Sequence, residues 1–347
     1  MLNELTCFKS YDIRGELNKN FDEVICYRIS KAFATFLNAT TIIIGRDARR
    51  SSSSLSDSIC QALFDTGVKV LDLGLAGTEE MYWATTQYEA CGGIEVTASH
   101  NPINFNGLKL VKSGSKPISA EELLEIKFLA EKTPPDTLRS TGTRVNIALD
   151  ARRKYVQKVL SFVEVDKLKP FKIVVNSGNG AAGPTFDSIA AEMSKLKSKV
   201  KFERVHHNVD SSFPNGIPNP ILPETHSWTQ NKILETKADL GVAFDGDFDR
   251  CFFFDENGDF VPSQYVVALL AKVFLLKEPR ATIIHDPRAI WSIQDMVKAT
   301  GGTSLVSLTG HAFVKRLMRE KRAVYGGEMS AHHYFKDFSY CDSGMIP

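Results

Sequence analysis

The 347-residue sequence predicts an α/β protein in which three successive α/β domains each carry a mixed sheet flanked by helices. Two observations support this fold class. Short apolar runs, typical of buried strands, alternate along the chain with segments whose apolar residues recur at the period of a helix. The alternation pauses and resumes twice, which gives three rounds without a strict sequence repeat. We therefore expect domains at residues 1–148, 149–253 and 254–347.

The first round begins with a helix over residues 21–37, where apolar side chains repeat about every 3.6 residues. The run Thr41–Gly45 predicts a strand that is buried on both faces. Ser119 and Glu122 have the spacing of a capping box and predict the start of a later helix. The other elements expected in this round are helices near 55–67 and 79–88 and strands at 68–73, 93–97 and 108–111.

The second and third rounds follow a loose segment, residues 133–143, whose two prolines mark a domain edge. The third round starts near Cys251 with a hairpin turn at 255–258, because Asn-Gly supports a tight turn. The elements expected in the second round are a helix at 149–168, strands at 171–176, 199–205 and 240–244, a turn at 177–180, a helix through 186–189 and a proline-rich loop at 208–223. Those of the third are helices at 263–276, 289–299 and 311–321 and strands at 282–285, 304–306 and 324–325.

The composition limits the kinds of ligand that we expect the protein to bind. The 42 basic and 41 acidic residues leave a formal net charge of +1, which argues against nucleic acid or an anionic membrane as a ligand of the whole surface. Six cysteines without zinc-ligand spacing predict reduced thiols. The sequence shows neither a signal peptide nor an apolar run long enough to span a bilayer. We expect a cytoplasmic protein that binds small molecules through local charge and has no nucleic-acid or membrane partner.

Three polar motifs follow predicted strands, where ligand residues of α/β sheets gather. The first is Thr97–Pro102, in which the Ser99 hydroxyl projects at a strand end and His100 could act on protons. On this segment alone, a serine that caps a turn is the favoured alternative. Adjacent residues on a strand point to opposite faces, so Ser99 and His100 are not expected to form a dyad of the catalytic-triad kind.

The second motif is the acidic run Asp245–Arg250. Its carboxylates, at alternate positions 245, 247 and 249, point the same way and repel one another unless a cation neutralises them. Oxygen ligands without Cys or His favour magnesium over zinc. The alternative is an exposed acidic turn, which the preceding buried strand disfavours. Arg250 would add a fixed cation for a phosphate.

The third motif is the glycine-rich segment Tyr325–Phe335. Glu328 and Ser330 suit the hydroxyl groups of a sugar, and His332 and His333 add donors. The two histidines could instead bind a metal, although no third ligand has suitable spacing, or they could lie on a polar surface turn.

Several weaker patterns point to structure rather than chemistry. The turn Ser177–Gly180 resembles a phosphate cradle but is interpreted as a tight structural turn. Tyr11–Gly15, Gly45–Asp47 and Thr309–His311 each predict a structural role when taken alone. Neither a Walker loop nor a GxGxxG fingerprint occurs, which argues against a P-loop NTPase or a nicotinamide enzyme.

In this order and at this separation, the three motifs occur in the α-D-phosphohexomutases, and the whole chain resembles the bacterial phosphomannomutase/phosphoglucomutase branch of that family. The resemblance implies that Ser99 is phosphorylated in the active enzyme. It implies magnesium ligands at Asp245, Asp247 and Asp249, with the Ser99 phosphate as a further ligand. The groups that it implies around the transferring phosphoryl are His100, Lys109, Arg14 and Arg250. Those that it implies around the substrate are Tyr11, Asn101, Arg288, Gly310, His311, Glu328, Ser330 and His332, with Arg288 where related enzymes often carry a lysine.

The resemblance also implies the reaction, that of an intramolecular phosphotransferase of the isomerase class. Phosphoserine passes its phosphoryl group to a hexose monophosphate, and the resulting hexose 1,6-bisphosphate turns end for end and returns its other phosphate to Ser99. Magnesium and the cations offset charge on the phosphoryl oxygens, and Lys109 or His100 is the candidate base. The implied substrates are mannose 6-phosphate and mannose 1-phosphate, with glucose phosphates as the alternative, in the carbohydrate metabolism that leads to GDP-mannose.

The family has a fourth, C-terminal domain, whose serine- and arginine-rich loop grips the non-reacting phosphate of the substrate. The sequence ends at Pro347, before such a loop, and we expect the loss of this remote binding energy to impair turnover. The alternatives are an inactive fragment that binds phosphosugar and a magnesium phosphatase. We expect a monomer, or association through an apolar edge of the third domain that the fourth would cover.

Overall fold

A computed structural model describes residues 4–134 and 141–347. The chain divides into an N-terminal unit, Met1–Tyr155, and a C-terminal unit, Val156–Pro347. One mixed sheet in the first unit and two in the second, all flanked by helices, confirm the predicted α/β class. The domain edge predicted at 133–143 falls partly on residues 135–140, outside the described residues, and the domain boundaries remain predictions.

The sheet of the N-terminal unit has the strand order β1-β5-β4-β2-β3-β7, with β6 beside β5. Strands β4, β2, β3 and β7 run parallel, whereas β5 is antiparallel to β4 and β1. The strands are β1 (Ile13–Glu16), β2 (Thr41–Arg46), β3 (Lys69–Leu75), β4 (Gly92–Val96), β5 (Phe105–Lys112), β6 (Lys116–Pro117) and β7 (Thr143–Asn146). The helices are α1 (Glu23–Leu37), α2 (Ser52–Asp65), α3 (Thr78–Gln87), α4 (Ala120–Lys132) and α5 (Ala148–Leu160), which ends in the second unit.

Local chemistry explains these elements. Three successive isoleucines of β2, residues 42–44, are completely buried, as expected for a central strand covered on both faces. The capping box of α4 is confirmed: the Ser119 amide donates to Glu122 Oε2 at 2.8 Å, and the Glu122 amide donates to Ser119 Oγ at 3.2 Å. Ser99 follows shortly after the carboxyl end of β4.

The C-terminal unit has two five-stranded sheets, ordered β12-β11-β10-β8-β9 and β14-β13-β15-β16-β17. The strands of the first are β8 (Lys172–Asn176), β9 (Lys201–Val205), β10 (Leu240–Phe244), β11 (Cys251–Phe254) and β12 (Phe260–Val261). Those of the second are β13 (Thr282–His285), β14 (Thr303–Val306), β15 (Tyr325–Gly327), β16 (His333–Phe335) and β17 (Cys341–Asp342). The helices are α6 (Ala182–Lys195), α7 (Ser227–Thr236), α8 (Ser263–Lys277), α9 (Trp291–Ala299) and α10 (His311–Lys321).

Two predictions about this unit were wrong. The helix expected at 149–168 ends at Leu160, because the Ser161 hydroxyl donates to the Lys158 carbonyl at 2.6 Å and competes with the helical backbone bonds. A separate 3-10 turn follows at Val165–Lys167. The hairpin at 255–258 joins β11 to β12 inside the first sheet, because β11 folds back antiparallel on β10. The third round of alternation therefore begins at α8 rather than near Cys251.

Two further sequence expectations concern cysteines and membranes. All six cysteines are free thiols in the structure, as predicted. Among residues 4–134 and 141–347, none of the helices combines the length and the hydrophobicity that a bilayer crossing needs.

Candidate active site

The first candidate element is the serine loop, Thr97–Phe105, which leaves β4 and enters β5. Ser99 has a left-handed backbone with φ of 49° and donates its amide to Thr97 Oγ1 at 2.8 Å. Its Oγ lies 3.0 Å from His100 Nδ1, within hydrogen-bonding distance. The prediction that the two side chains point apart was wrong, because it assumed an extended strand and Ser99 lies in a turn. The structure therefore joins a hydroxyl to an imidazole.

One buried guanidinium holds the serine loop in this conformation. Arg49, at the start of the segment that leads into α2, is 2% exposed. It donates to four main-chain carbonyls of the loop, those of Ser99 at 3.0 Å, Asn101 at 2.5 Å, Pro102 at 2.8 Å and Phe105 at 3.1 Å. Sequence reasoning missed Arg49, since nothing in the local pattern relates it to a loop about fifty positions away.

Asp47 completes this support. It accepts hydrogen bonds from Ser52 Oγ at 2.6 Å and Thr97 Oγ1 at 2.8 Å, and its carboxylate lies 3.4 Å from Arg49 Nε. Burial raises the pKa of Asp47, although Arg49 and the hydroxyl donors partly offset the shift. The segment Gly45–Asp47 thus has the structural role that the sequence predicted, at the base of the serine loop.

Three other predicted residues of the N-terminal unit lie on or before strands. Arg14 on β1 hydrogen-bonds through Nη1 to the Thr97 carbonyl, which brings it to the serine loop. Lys109 on β5 is buried and stands opposite Glu95 of β4 in the strand register. Tyr11 is partly exposed just before β1. Their roles at a substrate remain predictions.

The second candidate element is the carboxylate loop, Asp245–Arg250, which connects β10 to β11. Ligand atoms of Asp245, Asp247 and Asp249 all lie within 4.8 Å of one another, and the three side chains are buried. The alternative of an exposed acidic turn was therefore wrong. Three converging carboxylates at this depth repel one another, and a hard divalent cation with oxygen ligands relieves that repulsion. The donor set fits magnesium.

Arg250 belongs to the framework of this loop. Its Nε and Nη2 donate to Asp245 Oδ2 at 2.9 and 2.8 Å, and the side chain is buried. Burial lowers the pKa of Arg250, but the neighbouring carboxylates outweigh this and raise it. The geometry ties the guanidinium to Asp245, and its predicted contact with a phosphate remains a prediction.

The turn Ser177–Gly180 packs against the same loop. The Ala181 amide donates to the Gly246 carbonyl at 3.2 Å, and a Cβ on Gly180 would come within 2.9 Å of that oxygen. Only glycine permits this approach, which agrees with the predicted structural turn.

The third candidate element, the sugar loop Gly327–His332, is anchored through Glu328. One carboxylate oxygen of Glu328 accepts from the Gly310 amide at 3.0 Å, and the other accepts from the Tyr334 hydroxyl at 2.5 Å. Arg288 Nη2 lies 3.9 Å from Glu328 and 2.5 Å from Asp286. The structure therefore brings together the predicted residues 288, 310 and 328. Asp286, which sequence reasoning missed, holds Arg288 in place.

His333 is completely buried and the His332 side chain is only 17% exposed, so the alternative of surface histidines was wrong. His333 bonds through Nδ1 to the Tyr325 hydroxyl at 2.7 Å. Burial, aided by His332, lowers the pKa of His333 to about 3. His332 Nδ1 lies 2.9 Å from Asp342 Oδ2 and 3.8 Å from Asp249 Oδ1. Burial lowers the pKa of His332, but these carboxylates outweigh it and raise the value.

The remaining predicted residues flank this loop. Ser330 is half-buried within it. His311, the first residue of α10, has its Nδ1 3.3 Å from Lys315 Nζ. Lys315 in turn lies 2.6 Å from Asp342. Neither Lys315 nor Asp342 was among the predicted residues, because a lysine inside a helix and an aspartate in a two-residue strand give no distinctive pattern.

Comparison with known proteins places these elements in a family. Three family models match, described as phosphoglucomutase/phosphomannomutase α/β/α domains I, II and III, over residues 6–135, 153–258 and 262–347. A phosphomannomutase of Salmonella montevideo is 51% identical over 349 residues, which cover 100% of this chain and 76% of the relative. A protein named "Phosphohexose mutases" from Xanthomonas campestris pv. campestris is 44% identical over 345 residues, covering 99% of this chain and 75% of its own length.

A solved structure agrees with this. The crystal structure of a phosphoglucomutase/phosphomannomutase family protein from Burkholderia thailandensis superposes with a TM-score of 0.90 at 29% sequence identity. The match covers 100% of this chain and 75% of that protein.

Proposed function

This chain belongs to the phosphoglucomutase/phosphomannomutase family of phosphohexomutases, and on that premise we propose that it interconverts mannose 6-phosphate and mannose 1-phosphate. The proposal of phosphoryl transfer rests on the Ser99 hydroxyl, whose Oγ lies 3.0 Å from Nδ1 of the His100 imidazole. The choice of mannose rests on the 51% identical relative named phosphomannomutase, and glucose phosphates are the alternative substrates.

Ser99 is the phosphoryl carrier in this proposal. Its phosphorylated form gives the phosphoryl group to the free hydroxyl of the hexose monophosphate: the bond between phosphorus and Ser99 Oγ breaks as the bond to the sugar oxygen forms. The proton of the sugar hydroxyl passes to His100 or Lys109, and the departing Ser99 Oγ takes up a proton to become a hydroxyl again. In the second half, the bond between Ser99 Oγ and the other phosphate of the hexose 1,6-bisphosphate forms as the Ser99 hydroxyl loses its proton, and the sugar oxygen that is released takes up a proton. Arg49 fixes the loop so that Ser99 keeps one orientation throughout.

Asp245, Asp247 and Asp249 would hold magnesium, which when bound offsets negative charge on the phosphoryl oxygens. We expect Asp247→Asn to weaken Mn²⁺ binding, followed by electron paramagnetic resonance, by more than about 100-fold, the upper range for loss of an outer-shell partner. Asp259→Asn, an exposed carboxylate in the same unit, is the matched control and should bind Mn²⁺ unchanged. Equal affinities in the two variants would contradict the magnesium site.

Glu328 is the proposed sugar-binding group. Its two oxygens already accept from Gly310 and Tyr334, so the carboxylate is oriented before a sugar arrives, and its other lone pairs can accept sugar hydroxyls. Arg288, whose side chain is 41% exposed, offers donors beside it. Pre-orientation of this kind lowers the ordering cost of binding.

The deciding experiment is phosphorylation of the chain itself. Incubation with a hexose 1,6-bisphosphate and magnesium should add one phosphate to the intact mass, and Ser99→Ala should abolish that gain. Ser113→Ala, which removes an exposed serine of the same unit, should gain the phosphate normally. No mass gain in the unaltered chain would sink the proposal, and inorganic phosphate released in place of a phosphosugar would support the phosphatase alternative.

A coupled assay with mannose 1-phosphate and glucose 1-phosphate then settles the sugar. Faster turnover of glucose 1-phosphate would replace the proposed substrate by the alternative. We further propose that the protein acts in the cytoplasm, which its six reduced thiols support, and upstream of GDP-mannose formation, which its family supports. We also propose that it acts as a monomer.

A further inference from the structure

A buried ion pair joins helix α10 to strand β17 in the second sheet of the C-terminal unit. The proposed reaction does not use it. Lys315 Nζ on α10 lies 2.6 Å from Asp342 Oδ1 on β17, and both side chains are completely buried. Removing two charges from water is costly, and their attraction repays the cost only when the geometry is good. Apolar residues could fill the same space, so the pair calls for a reason beyond packing.

The pair is connected on both sides to candidate site residues. Lys315 Nζ lies 3.3 Å from His311 Nδ1, one helical turn earlier on α10. Asp342 Oδ2 lies 2.9 Å from His332 Nδ1, and that nitrogen lies 3.8 Å from Asp249 Oδ1. Lys315, Asp342, His332 and Asp249 therefore form a continuous chain of neighbouring side chains from the helix to the carboxylate loop.

The main chain brings the same two loops together. The Cys251 amide donates to the Ala331 carbonyl at 3.2 Å, and Arg250 and His332 form an isolated antiparallel bridge. The backbone thus fixes the distance between the sugar loop and the carboxylate loop. It leaves the orientation of the His332 ring to side-chain partners, and Asp342 is the nearer of its two carboxylates.

We infer that Lys315 and Asp342 are positioning residues, which fix the His332 imidazole between the sugar loop and the Asp249 carboxylate. Lys315 neutralises and orients Asp342, and Asp342 orients His332, as an outer-shell carboxylate orients a histidine in many active sites. This inference deepens the proposed function and rests on it. The competing explanation is that the pair serves stability alone.

Two variants and one control separate these explanations. Asp342→Asn keeps the shape and removes the charge, and Lys315→Met removes the other partner. Lys336→Met is the control, because its pair with Glu278, 2.6 Å apart, lies at the surface of the same unit. Should Asp342→Asn fail to fold, the double variant Lys315→Met with Asp342→Leu removes both charges together and carries the same measurements.

The first measurement is nitrogen-15 NMR of the histidine rings in the full chain, with the His332 signals assigned through His332→Gln. We expect Asp342→Asn and Lys315→Met to move the His332 ring signals, and Lys336→Met to leave them in place. Unmoved His332 signals in a folded Asp342→Asn variant would overturn the inference. This readout does not depend on turnover, so it stands even if the unaltered chain transfers no phosphoryl group, a result that would instead defeat the proposed function.

The second measurement is the rate of phosphoryl transfer from hexose 1,6-bisphosphate to Ser99 at saturating magnesium. We expect Asp342→Asn to lower the maximal rate about 10–100-fold, the usual cost of losing an outer-shell partner, with a smaller change in the concentration for half-maximal rate. Lys336→Met should retain the full rate. A loss that merely follows the unfolded fraction of each variant would show a structural pair and overturn the inference.

Discussion

The serine loop and the carboxylate loop are both buried, but different kinds of interaction hold them. One guanidinium, that of Arg49, holds the serine loop by donating to four main-chain carbonyls, which carry no charge and do not titrate. The carboxylate loop is held by side-chain ions, first Asp245 with Arg250 and then Asp249 with His332. The first arrangement therefore relies on neutral main-chain acceptors together with the Asp47 carboxylate, whereas the second relies on pairs of charged side chains.

The largest expected effect comes from removing the buried guanidinium that supports the serine loop in the N-terminal unit. Arg49→Met leaves the Asp47 carboxylate and four carbonyls without their buried donor, and losing one partner of a buried pair costs about 3–5 kcal/mol of unfolding free energy. Urea unfolding of the full chain, followed through Trp83 fluorescence, measures this loss. Arg153→Met, an exposed arginine of the same unit, should cost less than about 1 kcal/mol. Similar costs in the two variants would show that the serine loop does not depend on Arg49.

The second-largest expected effect is the pH dependence that the buried His333 gives to the stability of the C-terminal unit. The pKa of His333 is about 3 in the folded protein against an ordinary 6.5, so below pH 6.5 the unfolded chain binds a proton that the folded chain does not. Its contribution to stability is therefore present at neutral pH and is lost as pH falls from 6.5 toward 3, at up to about 1.4 kcal/mol per pH unit.

Unfolding followed through Trp228 and Trp291 in urea, at several pH values in this window, measures the slope. His333→Gln removes the titrating group and should flatten it. An unchanged slope in His333→Gln would assign the pH dependence to other groups.

The smallest expected effect is the loss of stability when the capping box of α4 is removed from the N-terminal unit. Ser119→Ala removes the side-chain acceptor of the α4 capping box and should cost about 1 kcal/mol in the N-terminal unit. Ser113→Ala, which lies outside that box, should cost nothing measurable. Equal free energies of unfolding in Ser119→Ala and Ser113→Ala would contradict the stabilising role of the capping box.

Local patterns predicted most of the longer regular elements and one of the three loops, but the helix α7 was missed. The strand at 282–285 and the helix at 311–321 are confirmed at the same bounds, since apolar periodicity and chain length decide such segments. The carboxylate loop was predicted because its three aspartates are two residues apart and follow a buried strand. Strands as short as β16 and β17 have no periodicity to detect, and they were missed.

The residues that organise the loops could not be found from the sequence in the same way. Arg49 contacts a loop fifty positions later, and Lys315 contacts Asp342 across twenty-seven positions, so the partners become neighbours only after the sheets form. The pairing of Ser99 with His100 was predicted wrongly for a different reason. It depends on a single left-handed residue, which no propensity identifies for a serine.

The ion pair between Arg250 and Asp245 affects which ionic charge the carboxylate loop can best neutralise. Three carboxylates and one guanidinium leave the loop itself with two negative charges, apart from the neighbouring His332 imidazole. A divalent ion brings that sum to zero, a monovalent ion leaves it negative, and a trivalent ion makes it positive. On this charge count, a divalent ion matches the loop better than a monovalent or a trivalent one. Arg250→Met would add a third net negative charge and move the best-matched ion from the alkaline-earth metals toward the lanthanides.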